Sequence, residues 1–210
     1  VMDHHRTATL FAAGEGQFAE LEGRFFNTRS KDPARKDDNL DLAVFPLSDQ
    51  QVGDLGPSLF LGSDELAPGE PTDPAPIVGT RYMVLGYPWS KQPKLIGTDL
   101  TPIPQTLAAY PCPVSLYAGR GLDARHHVLL EYDRETMFNS RGRTTGPKPR
   151  GMSGGGIWTI DLFGFRRLDH PRLVSILIEY HGAPHHTITS TRVGLCIDAI
   201  GDHFPDLKPL

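Results

Sequence analysis

The chain has 210 residues, with 39% apolar and 22% charged side chains, a formal net charge of −4 and two cysteines. That length suits one large domain or two small ones, and such a chain buries roughly 70% of its unfolded surface. No basic stripe points to nucleic acid, no run nears the roughly 20 apolar residues of a membrane span, and two cysteines make no disulfide framework.

Gly 22 and Pro 19 without a repeat period predict many turns, and so short strands rather than long helices. In chain order, "ATLFAA" (8–13) and "AELEGRFF" (19–26) read as two strands joined by "GEGQ". "KDPARKDDN" (31–39) is a charged surface loop, and "LDLAVFPL" (40–47) reads as a strand with Pro46 near its edge. "LGSDELAPGEPTDPAP" (61–76) reads as a connection. It divides the chain into residues 1–75 and 76–210. Further strands are expected at "RYMVLGYP" (81–88), "HHVLLEY" (126–132), "GGIWTIDLF" (155–163) and "RLVSILIEYHG" (172–182). A short helix is expected within "TRVGLCIDAIGDHF" (191–204). Cys112 and Cys196 are expected to be free, buried thiols. Few cysteines and no signal peptide favour the cytoplasm, although the first residue is Val1.

Chemistry concentrates in "KPRGMSGGGIW" (148–158). A serine hydroxyl is a weak nucleophile that needs a base, and its reaction needs donors for the oxyanion. Glycines at 151, 154 and 155 let the backbone curl so that two N–H groups converge. Ser153 is the candidate nucleophile, and the N–H groups of Gly151 and Ser153 are the candidate oxyanion hole. The bland alternative is a glycine-rich loop. A second alternative is the nucleophile elbow of α/β-hydrolases, which Gly151-x-Ser153-x-Gly155 matches in letters. That elbow needs a strand before it and a helix after it, whereas "RGRTTGPKPR" precedes and "GGIWTIDLF" follows. The other element is Asp41, at the opening of an apolar strand. Such an acid, buried beside a histidine, fixes its tautomer and stabilises the imidazolium. Alone it reads as a surface acid.

Together, "DLAV" (41–44) and "GMSGG" (151–155) resemble the aspartate and serine motifs of the trypsin-like serine peptidases, in the disulfide-poor form found in bacteria. "YMVLGYP" (82–88) and "LVSILIEYHG" (173–182) are compatible with strands of the second barrel. The resemblance implies an all-β fold of two antiparallel six-stranded barrels, the first incomplete, with the active site in the cleft between them. It implies a serine endopeptidase acting on polypeptides, with Ser153 as nucleophile and Asp41 orienting the base. Ile178, Glu179, Tyr180, His181 and Gly182 fall on the strand that flanks the substrate's P1 side chain, and a small or apolar P1 is expected. The family's histidine aligns one residue before Val1, with His4 or His5 as possible substitutes. Met152 stands where digestive members carry the aspartate that pairs with a freed N-terminus. No cofactor is implied. Zinc is not expected, since His126 and His127 point to opposite faces of one strand. A catalytically inactive peptide-binding or sensor module of the same fold stays open as an alternative.

Overall fold

The computed structural model describes residues 10–13, 18–21, 25–28, 40–56, 60–68, 81–88, 90, 103–139, 142–160 and 171–206. Two compact units divide the chain: Val1–Leu66 with Cys196–Leu210, and Ala67–Leu195.

The first unit holds strands β1 (Leu10–Ala13) and β2 (Phe18–Leu21), an antiparallel pair, and β3 (Phe26–Asn27) and β4 (Ala43–Val44), a second antiparallel pair. Helix α1 (Asp49–Leu55) follows. The expected strand at 40–47 is therefore only two residues long. What comes next is helical because Ser48 and Gln51 form a capping box: Gln51 N–H donates to Ser48 Oγ (3.3 Å) and Ser48 N–H to Gln51 Oε1 (2.8 Å). Gly56, at φ 86°, ends the helix. Among the described residues this unit contains two-stranded sheets and no closed barrel.

The second unit is a closed antiparallel barrel. Its strands are β5 (Arg81–Gly86), β6 (Gln105–Pro111), β7 (His127–Glu131), β10 (Gly156–Ile160), β11 (Leu173–His181) and β12 (Thr187–Arg192), in the order β10-β11-β12-β7-β6-β5. Helix α2 (Ser115–Ala118) precedes β7, and a hairpin of β8 (Met137–Asn139) and β9 (Gly142–Thr144) lies between β7 and β10. The four strands expected from apolar runs in this half are present. Period-2 alternation fills the interior: Val84, Leu107, Val128, Leu130, Ile157, Leu177 and Ile188 are all buried. The same face carries a polar pair. Ser175 and Ser190 share a hydrogen bond (2.8 Å), and Ser190 Oγ also donates to Val128 O (3.0 Å), so burying both hydroxyls leaves neither unsatisfied.

The chain joins the barrel at Ala67, whose N–H donates to Leu173 O (2.8 Å), within the segment read as a connection. Helix α3 (Val193–His203) follows β12, as expected for 191–204. Both cysteines are buried, and neither is in a disulfide.

Candidate active site

The serine stretch forms two consecutive turns that share Met152. Met152 N–H donates to Pro149 O (2.9 Å), with Gly151 third in the turn at φ 88°. Gly155 N–H then donates to Met152 O (2.8 Å), with Gly154 third at φ 86°. A positive φ at the third position is the type II signature, and glycine meets it without strain. Gly155 serves differently. A Cβ there would lie 2.5 Å from Leu85 O and 2.8 Å from Met152 O, so its missing side chain allows the loop to lie against β5.

Between the two turns, Met152 points inward. Its side chain is 1% exposed and packs in the barrel core beneath Gly86. β11 holds the other side, where Gly154 N–H donates to Leu177 O and Leu177 N–H to Gly155 O, both at 2.8 Å. The β11–β12 register shifts between Leu177 and Glu179, making Ile178 the extra residue of a bulge. Ile178 O accepts a hydrogen bond from Ser153 Oγ (3.3 Å).

Ser153 is exposed at the crest of the second turn. Along the loop the N–H groups of Met152, Gly154 and Gly155 are engaged by protein carbonyls. Those of Gly151 and Ser153 meet no protein acceptor among the described residues. The N–H groups of Lys148 and Arg150, earlier in the stretch, likewise meet no protein acceptor among the described residues.

The approach to the loop is clasped by residues just after β7. Tyr132 Oη donates to Pro147 O (2.8 Å), while Arg134 Nε donates to Gly146 O (3.0 Å) and Pro147 O (3.1 Å). Gly146 sits so close that a Cβ would be 2.7 Å from Tyr132 Oη. Burial holds the Tyr132 phenol well above its ordinary pKa, so it stays a donor. Tyr132 and Arg134 escaped sequence reading, since nothing in "EYDR" marks residues that brace a loop more than ten positions later.

The other site residues fall on β11 and the turn after it. Glu179 is exposed and sits 3.3 Å from His181. Tyr180 meets Tyr132 edge-on, with ring centroids 5.8 Å apart. Gly182 O accepts from the N–H groups of His185 (2.9 Å) and His186 (3.1 Å). Asp41 belongs to the first unit, exposed and left-handed at φ 42°, a conformation that Asp tolerates better than most residues. Leu42 behind it is buried and fixed to Thr28: its N–H donates to Thr28 Oγ1 (3.0 Å), and its carbonyl accepts from Thr28 N–H (2.9 Å). His4 and His5 lie outside the described residues. His126 is half-buried and His127 buried, with rings 6.3 Å apart at 67°. Among the described residues no three His, Cys, Asp or Glu side chains gather as a metal group.

The hydrolase-elbow alternative fails on this geometry. Ser153 is followed by the barrel strand β10, not by a helix, and the sheet around it is antiparallel throughout. Comparison with known proteins finds no matching family model and no matching curated protein.

Proposed function

We propose that this chain is a serine endopeptidase of trypsin-like type, with the closed barrel as its second barrel and residues of the first unit as part of its first. One observation carries the reading. An exposed Ser153 lies in a double turn whose Gly151 and Ser153 N–H groups meet no protein acceptor among the described residues, while those of Met152, Gly154 and Gly155 are engaged.

Ser153 Oγ attacks the scissile carbonyl carbon as its proton passes to a histidine, which the resemblance puts before Val1. The N–H groups of Gly151 and Ser153 hold the oxyanion. A donor of this kind is worth about 10²–10³ in rate. The histidine then gives its proton to the departing amine, and water repeats the sequence on the acyl-enzyme to release the acid. Asp41 orients the imidazole through its far nitrogen. The β11 segment from Ile178 to Gly182 takes the acyl side of the substrate, with no cofactor.

The test is fluorophosphonate labelling of this chain and of the chain extended upstream through its own coding sequence, each beside its Ser153→Ala form. Labelling of the extended chain alone, abolished by Ser153→Ala, is expected. Labelling of this chain as it stands would move the base to His4 or His5. A folded extended chain that took no label would overturn the enzyme reading in favour of a peptide-binding module.

A further inference from the structure

β11 has β12 on one side as far as His181, opposite Thr187. On its other side β10 meets it only as far as Ile176, opposite Gly156, and Gly154 and Gly155 then hold Leu177. Next to these, Ile178 O accepts from Ser153 Oγ (3.3 Å). From Glu179 to His181 no described residue bonds to the β11 backbone on that side. The strand therefore has an open edge that begins at the candidate nucleophile.

The register decides which groups face this edge. Leu129 of β7 gives its N–H to Tyr117 Oη (2.8 Å), and its carbonyl accepts from Cys112 N–H (2.9 Å), both away from β12. Thr189, opposite Leu129, therefore turns its backbone groups toward β11, where it faces Glu179. Adjacent pairs alternate, so Tyr180 turns its N–H and C=O away from Ile188 and out to the open edge. Side chains alternate as well. Tyr180 packs against Tyr132, whose hydroxyl holds Pro147 O, while Glu179 and His181 share the other face, 3.3 Å apart. Glu179 is exposed, and no Lys or Arg pairs with it among the described residues.

A polypeptide whose acyl part lies on this edge has its scissile carbonyl at Ser153, beside Ile178, and its preceding residues extend toward His181. It thus runs antiparallel to β11. The third residue before the scissile bond pairs with Tyr180, and the second stands opposite Glu179 with its side chain on the Glu179 face. We infer that Glu179 selects substrates with a basic side chain at that second residue, counting the residue that supplies the carbonyl as the first. This rests on the peptidase reading of Ser153. Exposed cross-strand ion pairs are individually weak, so about a threefold preference over a neutral side chain is expected. Such a preference is screened by salt, because the Debye length falls from about 10 Å at 0.1 M to about 3 Å at 1 M.

The experiment uses the extended chain and peptides that differ only in the second residue before the scissile bond: Lys, Gln or Glu. A further peptide carries the Lys at the third residue, on the Tyr180 face. Fluorophosphonate labelling is followed in the same preparation. The expected result is kcat/KM about threefold higher for the Lys peptide than for the Gln peptide. That ratio is expected to approach one in Glu179→Gln and at high salt, and Glu179→Lys should favour the Glu peptide. Exchanged preference is an outcome that mere damage to the fold does not produce. Lys at the third residue should bring no gain that depends on Glu179. A labelled, active enzyme indifferent to charge at the second residue, a preference that survives Glu179→Gln, or one that follows the Lys to the third residue overturns the inference and leaves the peptidase reading standing. A folded extended chain that takes no label overturns both.

Discussion

Replacing Gly155 with alanine separates two jobs that glycine performs in the serine loop. Its φ lies outside the left-handed region, so an alanine suffers no dihedral penalty there, but the added Cβ meets Leu85 O at 2.5 Å, Met152 O at 2.8 Å and Gly86 Cα at 3.3 Å. All three are backbone atoms and cannot swing aside. Relief requires the loop to lift from β5, which pulls on the Gly155 N–H to Met152 O and Leu177 N–H to Gly155 O bonds. Overpacking costs about 1–3 kcal/mol, and weakening the two bonds without breaking them adds about 1 kcal/mol in all, so a loss of about 3 kcal/mol is expected. Gly154→Ala is the matched control. Its Cβ meets nothing within 4 Å, but its φ of 86° costs a side chain about 1 kcal/mol. Urea unfolding of the two variants reads the difference. With a slope of about 2 kcal/mol/M, Gly155→Ala should unfold about 1 M earlier than Gly154→Ala. Equal midpoints would refute close approach to β5 as the reason for the third glycine.

Two further outcomes follow from burial. Met152→Ala, which empties a core position beneath Gly86, should cost about 2–5 kcal/mol in the same urea titration, and a near-native midpoint would mean that Met152 does not anchor the turns. Burial pushes the Cys112 and Cys196 thiols up to about 11, with Glu131 adding to the effect at Cys112. The native fold therefore holds these protons more tightly than the unfolded chain. The stability this contributes is fully present below about pH 9, the ordinary thiol value, and is lost as pH rises through about 11. At pH 8 both thiols should react with a disulfide reagent about 100-fold more slowly in native protein than in urea on thiolate fraction alone, and equal rates would refute their protection.

Where a strand buries a contiguous apolar run, its letters announce it, as "YMVLG", "HVLLE" and "LVSILI" do. β6 and β12 do not announce themselves. β6 turns only Leu107 and Ala109 inward, and alanine is a faint signal. β12 reads "TITSTR", yet five of its six residues are buried, because its neighbours β7 and β11 cover residues that hydropathy assigns to solvent. Ser190 is tolerated there by its bonds to Ser175 and Val128, a long-range match that no local window contains. The capping box of α1 was legible as Ser48-x-x-Gln51, but a seven-residue helix has too few turns to show a periodic face.

The glycines around Ser153 were legible as a need for backbone freedom, and the structure divides that need into two left-handed positions and one close approach. What holds the loop was not legible, because each support comes from elsewhere in the chain. Leu85 and Gly86 of β5 lie beneath it, Leu177 of β11 beside it, and Tyr132 and Arg134 grip the residues before it. Among the described residues none of these supports is a charge pair. Met152 packs an apolar side chain into the barrel core from between the turns, so packing holds the curl. Donors aimed by packing need no reorganisation when charge develops on a bound carbonyl, which is the condition under which an oxyanion hole is most effective. On the peptidase reading proposed above, a loop held this way has the N–H groups of Gly151 and Ser153 in place before any substrate arrives.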